Sequence, residues 1–200
     1  MNGVEWSDSL EKLFKKSAEH FLCLRWAHDN AQRYCSTRNT YLTIPVIVLS
    51  GLAGLGSVGS DNLLPFANAN ILVGFTSFVA GTLQTVSSYY AFAKRAEAHR
   101  VAAISYERLH RLIDFELKVD RNHRQNPTEL IKNLKEEADR LNEVSPQLPQ
   151  HSILAFKKAF PNEDVSIPAI LNGLEQVEVT VPEVKAQVKQ SSVKVSIVEV

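Results

Sequence analysis

The stretch YLTIPVIVLSGLAGLGSVGSDNLLPFANANILVGFTSFVAGTLQTVSSYYAFA, residues 41–93, carries one formal charge, Asp61. The charge-free zone starts earlier still: 55 residues separate Arg38 from Lys94, and Asp61 is the only acid or base among them. The zone divides into two apolar runs, about 42–59 and 70–93. Between them lies a segment rich in turn residues: Ser60, Asp61, Asn62, Pro65, Asn68 and Asn70. At about 1.5 Å per helical residue, either run is long enough to cross a hydrocarbon core of about 30 Å. A soluble domain of 200 residues has little reason to keep charge out of a quarter of its length. The zone predicts a two-helix transmembrane hairpin.

Whole-chain averages conceal this. Mean hydropathy is −0.12 and formal net charge is zero. Every other charge lies outside the hairpin, so a charge-free zone alternates with strongly charged segments. The first 40 residues hold no short apolar leader, so the first span is expected to act as its own insertion signal. Cys23 and Cys35 on one helix would stand about 18 Å apart along its axis, too far for a disulfide. No Cys/His cluster has zinc spacing, and the two thiols read as reduced structural residues on the cytosolic side.

Charge also sets the expected orientation. Lys15, Lys16, Arg25, Arg33 and Arg38 precede the first span, and Lys94, Arg95, Arg100, Arg108 and Arg111 follow the second. The connecting 60–70 has no Lys or Arg. The positive-inside rule then puts both termini in the cytosol and makes the chain an integral, multi-pass membrane protein. Tyr41, Tyr89 and Tyr90 fall at matching span ends, as an interfacial belt would.

Outside the hairpin the pattern is helical. Residues 1–40 read as an amphipathic cytosolic helix, capped by Ser7 or Asp8, with Leu10, Leu13, Phe14, Ala18, Phe21 and Leu24 at helical spacing. No breaker separates it from the first span, although Pro45 falls about one turn inside the apolar run and marks a kink or junction. The second span is expected to continue unbroken into 94–118. Asn126-Pro127-Thr128-Glu129 opens a further helix to about Val144, with Ile131, Leu134, Ala138 and Leu141 on a coiled-coil-like seam. An amphipathic piece, 151–160, either lies on the inner leaflet or covers the bundle. Residues 161–200 form a valine-rich tail. Val177–Val181 and Val193–Val200 alternate as strands do, so a strand pair or a disordered tail are both open. The fold expected is an all-α membrane protein: a transmembrane hairpin with long cytosolic helical extensions, assembled as an oligomeric bundle.

Each span carries a stripe of small and polar residues. At about 100° per residue, Asn39, Thr43, Ser50, Gly54, Ser57 and Asp61 share a sector of the first. Gly74, Ser77, Gly81, Gln84, Thr85 and Ser88 share one on the second. Small residues let helices approach closely, and Gly74, Ser77 and Gly81 are read in that role. The first stripe covers the whole depth of its span and ends in the only acid, so it is read as pore lining with Asp61 at the outer mouth. Lys94 and Arg95 would flank the inner mouth, where anchoring is the alternative. One hairpin encloses no channel, so conduction requires a closed ring of copies.

Tyr90-Ala91-Phe92-Ala93-Lys94-Arg95-Ala96-Glu97-Ala98-His99-Arg100, continuing to Tyr106 and Leu109, resembles the SLATT family of two-transmembrane proteins. In that family the second span runs into an Ala/His/Arg-rich helix with a Tyr-x-x-Leu step. Lys94, His99, Arg100, Tyr106 and Leu109 match this, within a resemblance covering roughly 7–144. It implies a pore-forming membrane effector, often tied to nucleotide-signal defence. The chain has no Walker-type or Rossmann-type glycine pattern of its own.

The function expected is therefore an oligomeric pore or ion channel. Its partners would be further copies, the bilayer and permeant ions, with an unidentified cytosolic regulator left open and no nucleic acid. The alternative is a membrane scaffold or curvature-shaping hairpin. No nucleophile–base pair, metal set or paired intramembrane acids point to an enzyme, and no cofactor is expected. His20, His28, His99, His110, His123 and His151 read as surface or interhelical residues.

Overall fold

The computed structural model describes residues 5–59, 69–161 and 165–173. Helix α1, Asp8–Gly59, is one continuous helix of 52 residues, about 78 Å long at 1.5 Å per residue. Ser7 Oγ accepts from the Leu10 N–H at 3.3 Å, and Asp8 and Glu11 place negative charge in the first turn. Pro45 lies inside α1 without ending it. The amphipathic first limb and the first apolar run are thus one rod.

The chain returns as α2, Ala69–Tyr90, and α3, Phe92–Lys118. Both run antiparallel to α1: His99 meets His28 and His110 meets the Ala18 carbonyl. This second rod is not unbroken, as the sequence had led one to expect. Ala91 stands between α2 and α3 at φ 47°, ψ 42°, the only non-glycine with positive φ among the described residues. Helical hydrogen bonding survives on either side, Ala91 N–H to Ser87 O and Arg95 N–H to Ala91 O, both 3.0 Å. An L-residue in this region costs about 1–2 kcal/mol. The smallest side chain in Tyr89-Tyr90-Ala91-Phe92 adopts it, and the Tyr90 and Phe92 rings stack across it at 5.3 Å.

α4, Pro127–Val144, completes a three-helix polar bundle. Asn126 Oδ1 caps it by accepting from the Thr128 N–H at 2.9 Å. Phe14 and Ala18 of α1, Tyr106, Leu109 and Ile113 of α3, and Leu130 and Leu134 of α4 share one core. α5, Gln150–Ala159, packs on another side of α1, where Phe156 and Phe160 meet Trp26 edge-on at 5.5 and 5.3 Å. The apolar side of this amphipathic piece that carries Phe156 thus rests on the bundle, while Leu154 is exposed. A short α6, Ala169–Asn172, follows. Its Leu171 is buried beside Cys23 and Ala27, and the Ser166 N–H donates to Glu19 Oε2 at 2.9 Å. Within the segment read as a valine-rich tail, Ala169–Asn172 is therefore helical. The strands expected at 177–181 and 193–200, and the 60–68 turn with Asp61, lie outside the described residues. Every regular element among the described residues is helical.

The far end of the bundle is clasped by charge. Arg121 and Arg124 both bond Glu11, and Arg121 also pairs with Asp8. Arg124 additionally donates to the Leu117 and Val119 carbonyls at 2.9 and 2.8 Å and lies 4.9 Å over the Trp6 ring. Hydrogen bonds from Arg121 and Arg124 hold the Glu11 carboxyl at about 2, below its ordinary 4.5. The clasp is therefore complete above pH 4.5 and is lost only as pH falls from there through 2. The Arg124 side chain is 8% exposed and that of Arg121 is 48% exposed, so the two should differ on mutation. Arg124→Ala strands two carbonyls and should cost about 2–3 kcal/mol. Arg121→Ala should cost much less. Thermal melts followed by circular dichroism check the order.

Candidate functional site

Two helices meet in the apolar limb along narrow seams. On α1 the shielded positions are Leu42, Thr43, Val46, Leu49, Ala53 and Gly56; on α2 they are Val73, Thr76, Val79, Ala80, Leu83 and Ser87. The tightest points are alanines, Ala53 at 8% exposure and Ala80 at 5%. Far from these seams the limb presents bare hydrocarbon. Leu52, Leu55, Phe75 and Phe78 are 58–75% exposed. A polar domain does not leave such a surface uncovered.

Apart from Thr43, the small and polar stripes occupy neither place. Ser50, Gly54 and Ser57 are exposed, with Asn39 and Thr43 half-buried at the edge of the α1 seam. Gly74, Ser77 and Gly81 are exposed on α2. At about 100° per residue, the α1 stripe sits about 90° round from its seam and the α2 stripe about 120° round, both in the same rotational sense. In an antiparallel pair, equal senses bring the two stripes to the same side of the hairpin. The hairpin thus has one side of serine, threonine, glycine and glutamine, and an opposite side of leucine and phenylalanine.

Gly74, Ser77 and Gly81 take no part in the α1–α2 contact. A Cβ built at Gly54, Gly74 or Gly81 would meet nothing within 4 Å. Any close approach they permit is to something other than the described residues of this chain. On α2 the hydroxyls are satisfied internally: Ser77 Oγ donates to Val73 O and Thr85 Oγ1 to Gly81 O, both at 2.9 Å. Lys94 and Arg95 are exposed just beyond Ala91. Among the described residues, no three His, Cys, Asp or Glu are grouped to hold a metal.

One constellation was not visible in the sequence. His28 and His99 are 2% and 4% exposed and face each other with Nδ1 to Nδ1 at 3.0 Å. The His28 ring stacks on Tyr106, centroids 5.4 Å apart, and Tyr106 Oη donates to Asn142 Oδ1 at 3.1 Å. Burial, then the facing His99, pushes the His28 imidazole down to about 4. Burial, then Arg95, lowers that of His99. The two residues lie 71 apart, and only the register of the folded hairpin brings them together. Counting back equally from the turn on both arms was the one available signal. Cys23 and Cys35 are free and buried, and burial raises the Cys23 thiol to about 11.

No family model matches the chain, and neither a curated protein nor a solved structure is significantly similar to it.

The seam assignment has a direct consequence. Ala53→Leu forces a larger side chain into a tight contact and should destabilise the hairpin by about 1–3 kcal/mol. Gly54→Ala enters open space and should be neutral or stabilise the helix by up to about 1 kcal/mol. Thermal unfolding of the two variants in detergent distinguishes them.

Proposed function

We propose that this chain is one subunit of an oligomeric membrane pore or ion channel. Each copy contributes a two-span hairpin, with both termini on the cytosolic side. The observation that carries the reading is the two-sided hairpin: hydrocarbon on one side suits lipid, and the small polar side suits neighbouring copies and water. Two helices give no enclosed path, so the polar sides of several copies would face a common axis. Asn39, Thr43, Ser50, Gly54 and Ser57 would line the path, and Asp61 would ring its outer mouth. Gly74, Ser77 and Gly81, uncovered by any described residue, would seat the next copy. Lys94 and Arg95 would flank the inner opening. The match of residues 90–109 to the SLATT pattern belongs to the same proposal.

A second reading has one observation in its favour. The Thr76, Ser77, Thr82 and Thr85 hydroxyls of α2 bond their own backbone and need no water. A scaffold or curvature-shaping hairpin, whose stripes only pack, would use them in this way.

Solvent access separates the two. In a background with Cys23 and Cys35 replaced by alanine, Ser50→Cys and Ser57→Cys should react with a charged thiol reagent added to liposomes, and Leu52→Cys should not. Protection of all three favours the scaffold. For the mouth acid, Asp61→Asn should lower cation over anion permeability several-fold in planar bilayers. Unchanged selectivity removes Asp61 from the path.

A further inference from the structure

The described part of the chain holds one buried pair of titratable groups that the pore reading does not use, His28 and His99. It lies in the contact between α1 and α3, and its surroundings leave no slack. Ala27 and Ala31 on α1 are 0% exposed, and Ala96, Ala102 and Ala103 on α3 are buried. Alanines bring the two backbones close, and the two imidazoles form the one buried side-chain to side-chain hydrogen bond recorded between α1 and α3 among the described residues; His110 to the Ala18 carbonyl and Arg25 to Glu107 are the other polar links.

At least one of the two groups must be neutral for this link to form, and only the wholly neutral pair forms it without burying charge. One Nδ1 carries the hydrogen and donates; the other offers its lone pair. A first proton places a charge in an apolar seam. A second turns the accepting Nδ1 into a donor, and two N–H groups then point at each other at 3.0 Å. The neighbours supply no relief. From α3, Arg95 bears on His99 and repels a further positive charge, and Tyr106 covers His28 with its ring face. Also on α3, Glu107 is engaged by Arg25 of α1. On α1, the buried Cys35 itself lies near Arg95. α4 reaches the pair only through the uncharged Asn142 and Ser145, both bonded to Tyr106. α5 contributes His151, which is stacked on Tyr34 of α1. No carboxylate is among the influences on either imidazole.

We propose that the His28–His99 pair is an acid-sensitive latch: neutral, it holds α3 against α1 next to the strained Ala91 junction, and protonated, it releases α3 at that point. The continuous rod α1 and the clasped far end of α3 would stay in place while the first turns of α3, next to the left-handed Ala91, part from α1. The inference goes beyond the pore reading and does not need it, because a scaffold hairpin with this seam would unlatch in the same way. The sign follows from burial. A free imidazole takes its proton near 6.5 and the buried His28 near 4, so the latch is intact above about 6.5 and weakens as pH falls from there towards 4. From His28 alone, opening at pH 5.0 should be about 30-fold easier than at pH 7.5.

The test is amide hydrogen exchange of the full chain in phospholipid nanodiscs at pH 7.5 and 5.0, with times scaled for intrinsic exchange. The expected result is at least a tenfold loss of protection at pH 5.0 in 24–36 and 95–107. Residues 10–18 and 110–118, held by the Glu11 clasp that titrates lower, should keep theirs. The double variant His28→Gln/His99→Gln should show the same protection at both pH values. Equal protection of the wild type at both pH values, or an equal acid response in the double variant, would overturn the latch. Should the double variant not fold, nuclear magnetic resonance titration of the wild-type imidazoles decides. Midpoints below about 5 support the latch, and midpoints between 6 and 7 overturn it.

Discussion

Everything in this molecule hangs on the antiparallel contact of one 52-residue helix with the chain's return path. α1 runs through both the apolar limb, against α2, and the polar bundle, against α3 and α5. Its buried face includes small residues at either end: Ala53 in the apolar limb, and Ala27 and Ala31 flanking His28 in the polar one, with Ala27 in the cluster shared with α5 and α6. Small residues allow close approach but contribute little burial per position. The large cores therefore lie beside the seam. Phe14, Tyr106, Leu109, Ile113 and the α4 leucines form one, and Trp26 with Phe156 and Leu171 forms the other. The arrangement gives a stiff two-rod frame with its bulk concentrated at the charged end.

The price of close pairing appears at Ala91. Two helices of a hairpin with different neighbours along their length must stay in register with α1 in both limbs. A single left-handed residue shifts the second rod without interrupting its hydrogen-bond ladder. That residue falls where the charge-free zone ends and Lys94 and Arg95 begin. The strain and the change of environment coincide, and such coincidences mark positions able to move.

Much of this architecture was legible in the residues. The charge gap revealed two long apolar helices, the lack of a breaker after Arg25 revealed one rod, and Asn126-Pro127 revealed the start of α4. These are local signals: periodicity, caps and breakers act within a few residues. The Ala91 joint was hidden because nothing in Tyr90-Ala91-Phe92 is a breaker by type; the neighbouring rings and the pairing with α1 impose it. The covering of α5 by Trp26, the helical turn at 169–172 and the histidine pair were hidden for a related reason, since each depends on a partner far along the chain. The polar stripes could be read as stripes from spacing alone. Their shared side could not, because it follows from where Ala53 and Ala80 place the seams.

The seams account for both sides of the hairpin, one hydrocarbon and one small and polar. A surface of exposed leucine and phenylalanine on the scale of Leu52, Leu55, Phe75 and Phe78 calls for an apolar cover, lipid or another protein surface, and both helices are long and apolar enough to cross a membrane. Sedimentation velocity of the purified chain, with and without surfactant, tests this most directly. The account predicts defined assemblies in detergent or nanodiscs and heterogeneous aggregation once surfactant is removed. A single, folded, monodisperse species in plain buffer would contradict it.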